Sequence, residues 1–494
     1  MFPSHAEIAR LAPEIILTFF GVVVMMAAPF FESAIGAAQP RGARWLTYIS
    51  IAGVAVAFVA TIHHRGNAGP AFYGLIAKNA FSVYLDCVIL GAALLVLLGS
   101  AGYLERDSMA PGEFCALVLF AATGMCVMAS ATELVTIFIG LEISSIASYV
   151  LVGYRRDSPL SDEAAMKYFL LGSFATAFFL YGIAMLYGSS GTTRLDQISA
   201  SHAGVTPALL PLGLGLVLVG LGFKVSAAPF QIWTPDVYQG APAPVTALLS
   251  TAPKAAAFAV LLRILASVGV ASGLWLWALW TVAILSMFAG NLAALAQSNL
   301  KRLLAYSSIA HAGYILAGLA AAAAASGNAD LWTKGIAAAL FYLAAYALMK
   351  LGAFLIVAHI SGPGEQRQEL SDFAGLGTRQ PVAAACLSLF LFSLLGLPIT
   401  AGFVAKFYVF GAALSSDMIW LALAIAVNTI IGAYYYLRVI VVMYMREPQE
   451  ETPRFAVPAS AVIALLAAAA GTIFFGLFPA QLAGWAARAA ASLR

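Results

Sequence analysis

The feature that most limits this chain is a recurrence of apolar runs about 20 residues long, the length an α-helix needs to cross the hydrocarbon core of a bilayer. Fourteen such stretches are found, at 14–31, 43–62, 80–101, 112–129, 132–152, 164–187, 208–228, 243–267, 274–295, 303–324, 332–358, 381–413, 418–444 and 456–478. Backbone amides in lipid have no water to bond, so segments of this kind must satisfy themselves as helices. Composition agrees: 62% of residues are hydrophobic and 10% charged, against about 25% charged in soluble domains. The expected fold is an all-α polytopic membrane protein of about 14 transmembrane helices. The longest polar loops, near 63–79, 188–207 and 359–380, leave no room for a nucleotide-binding domain. The glycines of GLGLVLVG at 213–220 precede no βαβ unit and read as helix packing. The tail from residue 479 onward reads as a short interfacial helix anchored by Trp485 and Arg488.

Charge and cysteine usage remove other classes. A net charge of +3 from scattered basic residues does not suit nucleic acid. Cys87, Cys115, Cys126 and Cys386 lie in apolar stretches and form no CxxC pair, so neither a metal nor an iron–sulfur site is expected. The first apolar run has only Arg10 before it, flanked by Glu7 and Glu14, which does not suit a secretory signal. With both termini outside, Arg41, Arg44, Arg106, Arg155, Arg156, Lys167, Lys301, Arg302, Arg367, Arg379, Arg438, Arg446 and Arg454 face the cytoplasm. Only Arg10, Arg65, Lys78, Arg194, Arg263, Lys334, Arg488 and Arg494 face the other way, so the basic bias favours that orientation.

Two segments are interrupted. The seventh carries Lys224 and breaks at Pro229; the twelfth is interrupted by Gly396, Pro398 and Gly402 and carries Lys406. Paired broken helices at corresponding places in two halves point to an internal repeat with the transport path at the breaks. The two breaks lie five segments apart, so each repeat has five helices. An odd number inverts the second copy. The expected organisation is 1–110 for helices one to three, 111–268 and 272–446 for the two repeats, and 447–494 for the last helix and tail.

Ionisable groups inside the spans carry the chemistry. Glu142, Lys224, Lys254 and Lys406 lie close to mid-span, where each costs about 2.5–3.5 kcal/mol on insertion scales. A static ion pair accounts for one glutamate and one lysine and leaves two lysines unexplained. A buried amine binds its proton less tightly, and a nearby carboxylate reverses that. A moving acid can thus load and unload a lysine, which arginine does not permit. Glu142 is the mid-span acid and is paired here with Lys224. Lys254 follows Pro253, which kinks its helix and frees a carbonyl. Lys406 is the terminal site. His311, with Ser307 and Ser308 on the preceding turn, is a candidate relay between Lys254 and Lys406. Lys350 lies off-centre and either joins the relay or snorkels to an interface. Glu133 and Asp86 read as interfacial or packing charges, and Asp236 as a cap on the turn between helices.

The segments LEISSIASYVLVGY (141–154), AAMKYFLLGSFATAFFLYGIAMLYG (164–188) and GFKVSAAPFQIWTPDVYQGAPAPVTALLSTAPKAAAF (222–258) resemble antiporter-like membrane subunits of respiratory complex I. So do KRLLAYSSIAHAGY (301–314) and FSLLGLPITAGFVAKFYVF (392–410). Within that family WTPDVYQGAPAPVTA is similar to the N type rather than to the L, M or Mrp types. The resemblance implies a bacterial inner-membrane location and proton translocation coupled to quinone reduction by NADH in other subunits. Flavin, iron–sulfur clusters and quinone are then expected elsewhere, with no cofactor on this chain. Its expected partners are the L- and M-type subunits, small membrane subunits and lipid. It assigns proton transfer to Glu142, Lys224, Lys254 and Lys406. Lys350 departs from the family, where a small polar residue is usual. Two other readings stand beside this one: a self-contained Mrp-like cation/proton antiporter, which the WTPDVYQGAP segment disfavours, and a scaffold whose charges only fix packing.

Overall fold

A computed structural model describes residues 4–32, 41–66, 68–198, 208–267, 273–447 and 457–493. Arg454 and Arg494 lie outside the described residues. The chain folds as α1 (His5–Arg10), α2 (Ala12–Phe31), α3 (Arg44–His63), α4 (Ala80–Arg106), α5 (Pro111–Ser130), α6 (Leu134–Val152) and α7 (Pro159–Ser190). Next come α8 (Leu195–Ile198), α9 (Leu209–Val225), α10 (Thr234–Gly240), α11 (Ala243–Leu249), α12 (Ala252–Ser267), α13 (Gly273–Leu295) and α14 (Leu300–Ala324). The last third comprises α15 (Ala329–Ile360), α16 (Leu376–Arg379), α17 (Pro381–Leu395), α18 (Ala401–Ser415), α19 (Ile419–Met445), α20 (Ala459–Leu477) and α21 (Pro479–Ala491). Among the described residues twelve helical spans are long and apolar enough to cross a bilayer. The seventh and twelfth segments expected from sequence are built from shorter apolar helices, α9 and the pair α17–α18. A small hairpin, β1 (Gly69–Ala71) with β2 (Ile76–Lys78), was not anticipated in the polar loop after α3.

Helix ends follow local chemistry. Asn79, Asn299 and Asn328 cap α4, α14 and α15 with their side-chain oxygens. Prolines open α5, α7, α17 and α21, where a missing N–H costs nothing. The expected anchor helix is α21; Trp485 is exposed, while Leu482, Ala486, Ala489 and Ala490 are buried. Ser492 ties its end to the start of α4 through Asn79 Nδ2 (3.0 Å) and the Phe81 amide (3.0 Å).

Burial is graded from outside in. The most apolar stretches of α14 and α15 are 94% buried and that of α11–α12 is 100% buried, against 28% for α2. A helix buried on every side in a membrane bundle faces protein rather than lipid, so polar side chains on it need partners. Close crossings rest on small residues: a methyl at Gly124 of α5 would lie 2.5 Å from the Gly140 carbonyl of α6.

One buried lysine has two counterions. Lys78 donates to Glu14 Oε1 and to Asp86 Oδ2, both at 2.7 Å, and all three side chains are at most 7% exposed. Burial alone would lower the lysine's pKa, but Asp86 and Glu14 more than reverse it and hold it above the ordinary value. Asp86 is therefore a packing charge, as expected. Arg263, counted above among the outer loop cations, is instead buried and bonds the Ala129 carbonyl.

Candidate functional site

The first break is made by local geometry. At the end of α9, Ser226 takes a left-handed backbone conformation, and its successor Ala227 returns its amide to the Gly222 carbonyl at 2.8 Å. Trp233 Nε1 donates to the Phe223 carbonyl at 3.0 Å, and Trp233 stacks on Tyr168. Lys224 is thus held in the last turn of α9, 4% exposed, where the carbonyl end of the helix attracts cations.

Lys224 and Glu142 come close without a direct bond. Lys224 Nζ donates to Ser145 Oγ at 2.9 Å, while Thr176 Oγ1 donates to Glu142 Oε1 at 3.0 Å. Among the described residues no ion pair within 4 Å joins them. Glu142 and Ser145 stand one turn apart on α6, and a cavity of about 10 Å³ lies between Ser145, Tyr149, Thr176 and Lys224. That is about the space one water needs. Glu142 and Lys224 thus face each other through the Ser145 and Thr176 hydroxyls rather than in a direct bond. The serine and threonine were not singled out because such residues in helices usually bond their own backbone.

The eighth segment is also interrupted. Pro253 does not kink a continuous helix; it opens α12 after a turn at Ser250 and Thr251. Lys254 therefore sits near a helix start. It is 1% exposed and donates to the Ser308 carbonyl at 3.0 Å, with the Tyr346 ring centre 6.0 Å away.

A hydrogen-bonded chain runs between α14, α15 and α19. Lys350 Nζ donates to Ser307 Oγ (2.9 Å) and to the Leu304 carbonyl (2.7 Å). Ser307 Oγ meets Tyr436 OH at 2.5 Å, and Tyr436 OH meets His311 Nε2 at 3.1 Å. His311 Nδ1 meets Tyr342 OH at 2.8 Å. Lys350 is fully buried and so does not snorkel. His311 bonds toward Lys350 rather than bridging Lys254 and Lys406 directly. Ser307, His311 and Tyr314 recur at helical spacing on α14, as do Tyr342, Tyr346 and Lys350 on α15. That period was the signal that could have found the tyrosines. Tyr436→Phe removes the hydroxyl between Ser307 and His311 and keeps the ring. If the proton transfer expected from the sequence runs through this chain, the variant should keep its stability and show a lower rate of substrate-driven pH change in vesicles at equal protein content.

The second break mirrors the first. α17 ends at Leu395, Gly396 takes φ +93°, and α18 begins at Ala401. Lys406 lies in α18 but reaches back across the break, donating to the Leu395 carbonyl at 2.8 Å. The Tyr314 ring centre is 5.0 Å from its Nζ. The crossing is tight: a methyl at Gly402 would lie 1.8 Å from the Ser393 carbonyl.

Other expected charges resolve differently. Glu133 caps α6 through the amides of Val135 and Thr136. Asp236 is more than a turn cap. Lys167 donates to it at 2.7 Å and Arg302 at 2.5 Å. Partial burial would raise its pKa, but these two cations hold its carboxyl below the ordinary value. A further cluster around Glu365 was not anticipated. Lys301 and Arg155, counted above as loop cations, are buried against it. Among the described residues no group of three or more histidine, cysteine or carboxylate side chains could hold a metal ion. The four cysteines are free thiols.

Two broken helices, each presenting a buried lysine to a helix end, together with an interior path of lysine, tyrosine and histidine, define an antiporter-like membrane subunit. The family model described as NADH:quinone oxidoreductase/Mrp antiporter, TM, matches residues 131–432. A NADH-quinone oxidoreductase subunit N 1 from Solibacter usitatus is 47% identical, covering 98% of this chain and 97% of that one. A subunit N 2 from Koribacter versatilis is 48% identical over 98% of this chain and 97% of its own length. Respiratory complex I from Thermus thermophilus with bound Aureothin contains a chain 37% identical, with a TM-score of 0.79, covering 96% of this chain and 98% of that one. A chain of the Mrp complex from Dietzia shares the fold at a TM-score of 0.82, with 21% identity over 97% of each chain. The chain belongs to the subunit N family of NADH-quinone oxidoreductase, the respiratory complex I.

Proposed function

We propose that this subunit carries protons across the membrane through Glu142, Lys224, Lys254, Lys350, His311 and Lys406, driven by quinone reduction in other subunits. The observation that carries the reading concerns the lysines. Lys224, Lys254, Lys350 and Lys406 are all buried, and among the described residues none has a carboxylate within ion-pair distance. They instead rest on serine hydroxyls and single carbonyls. A buried cation without a counterion is strongly destabilising, so such amines persist where the proton can leave. The order we infer is Glu142–Lys224, then Lys254, then Lys350 with the Ser307–Tyr436–His311 chain, then Lys406.

The excess of basic residues in alternate loops of the sequence supports an orientation with both termini outside, and the similarity to bacterial subunits supports a bacterial inner membrane. L- and M-type subunits, small membrane subunits and lipids are the expected neighbours, and the redox groups lie on other chains. The alternative of a free-standing Na⁺/H⁺ antiporter rests only on the shared fold with Mrp. Lys224→Ala in the assembled complex is expected to abolish or sharply reduce NADH-driven proton pumping, with Na⁺ having no effect. Near-normal pumping and quinone reduction in that variant would overturn the reading.

A further inference from the structure

Two asparagines lie inside spans, where a carboxamide needs partners within the protein: Asn291 on α13 and Asn428 on α19, 1% and 0% exposed. Their hydrogen bonds run in one direction, and local chemistry fixes that direction. Asn428 Nδ2 donates to the Ala424 carbonyl of its own helix at 2.9 Å. A carbonyl can only accept, so Asn428 turns its Oδ1 away from its own helix. Asn291 Nδ2 meets that oxygen and donates to it at 3.0 Å. The same nitrogen donates to Tyr314 OH at 3.3 Å, and Asn291 Oδ1 accepts from Tyr435 OH at 2.9 Å. One carboxamide thus uses both its N–H groups and its oxygen, on α14 and α19. Flipping it would set its oxygen against the Asn428 oxygen.

The tyrosine so held faces the lysine of the second break. The Tyr314 ring centre is 5.0 Å from Lys406 Nζ, and the face of an aromatic ring stabilises an ammonium over the neutral amine. Among the described residues the amine has one hydrogen-bond acceptor, the Leu395 carbonyl at 2.8 Å. The helices packed on α18 are α14, α15, α17, α19 and α20. In their buried middle α14 brings His311 and Tyr314, α15 brings Tyr342, Tyr346 and Lys350, and α19 brings Tyr435 and Tyr436. α17 and α20 bring no buried titratable group. The other cations of these helices lie at helix ends or are partly exposed. The one carboxylate on these five helices, Asp330, is exposed at the start of α15. An aromatic ring, and not a counterion, therefore supports the charge on Lys406.

Resting on the proton-carrying reading above, we propose that Asn291, oriented by Asn428, is a positioning residue for the Lys406 site: its bond to the Tyr314 hydroxyl holds that ring against the amine and so sets the pH range over which Lys406 takes up and releases a proton. Neither asparagine carries a proton, and neither bonds Lys406. Interhelical asparagines also serve as polar glue between spans, but two features go beyond glue. Asn291 directs its second N–H to a side-chain hydroxyl, and that hydroxyl belongs to the tyrosine whose ring faces Lys406. Its oxygen holds Tyr435, whose ring packs at 4.3 Å on Tyr436, the residue that joins Ser307 to His311. One side chain on α13 thus fixes two tyrosines beside the groups of the path.

The test uses the whole complex reconstituted in vesicles, with NADH-driven proton pumping measured over a pH series and thermal unfolding measured beside it. Asn291→Ala removes the carboxamide and releases the Tyr314 ring. The ammonium then loses part of its support, so the alkaline limb of the pumping profile is expected to move to lower pH by about half a unit to one unit. Tyr314→Phe keeps the ring but loses the bond that holds it, and should move the limb in the same sense. Tyr314→Leu, which removes the ring, should move it furthest. Asn291→Ala with Tyr314→Phe should move it no further than either alone, because both break one link. A glue role would lower the unfolding temperature and leave the profile in place; that result in an assembled Asn291→Ala complex would overturn the proposal. If that variant does not assemble, Tyr314→Phe decides: a moved profile supports the positioning role and an unmoved one refutes it. Lys406→Met measured alongside separates the two ideas. Wild-type pumping there removes the underlying reading, whereas lost pumping there beside an unmoved Tyr314→Phe profile removes only the positioning role.

Discussion

Lys254→Met is expected to assemble normally and to lose proton pumping, with coupled NADH oxidation falling by about two orders of magnitude. Methionine matches the stem of lysine and fills the same interior space. It removes a buried amine whose sole hydrogen-bond acceptor among the described residues is the Ser308 carbonyl. Replacing an uncompensated buried ionisable group by an apolar side chain of similar volume is commonly neutral or stabilising. Stability and transport should therefore separate in this variant: unfolding temperature unchanged or higher, proton transfer gone. The check is paired, thermal unfolding of the purified complex against pH change in vesicles. A variant that pumps at the wild-type rate would show that protons do not dwell at Lys254. One that fails to assemble would show that the amine holds the interior together.

Lys78→Met should behave in the opposite way. Lys78 is the counterion to two carboxylates, Glu14 and Asp86, with side-chain exposures of 6% and 0%. Its loss leaves two like charges buried and unpaired, a change of about 3–5 kcal/mol by analogy with other broken buried pairs. We expect little of the chain to accumulate in the membrane and a lowered unfolding temperature in what does. Adding Asp86→Asn should recover part of both. Pumping per assembled complex should remain normal. The pH sense follows from the raised pKa of Lys78. Its stabilisation is complete below the ordinary lysine pKa and is lost only as pH rises through the still higher folded-state value. This lock is thus insensitive to pH near neutrality. A normal level of stable protein in Lys78→Met would overturn the assignment.

The contrast between these two lysines is the physical content of the site. A lysine between two acids stays charged and ties α2 to α4. A lysine resting on a hydroxyl or a lone carbonyl has nothing that fixes its charge. Both look alike in sequence, as a single cation beside or within an apolar run. Loop position alone makes Lys78 an outer charge and Lys301 and Arg155 cytoplasmic ones, since counting loop cations says nothing about what folds over them.

Much was nevertheless legible along the chain. Apolar runs of bilayer length marked where the long helices lie and in what order, since lipid offers a backbone no other partner. Proline and glycine marked the breaks at Pro229 and Gly396, and insertion cost singled out Glu142, Lys224, Lys254 and Lys406. Those signals are local or depend on the solvent alone. Contacts between distant segments were decided only in three dimensions. Ser145 and Thr176 stand between Glu142 and Lys224, Tyr436 links Ser307 to His311, and Glu365 reaches back more than 250 residues to Tyr103. Each of these depends on which faces of two helices meet. Periodicity places a residue on a face, but it does not say which neighbour that face will find.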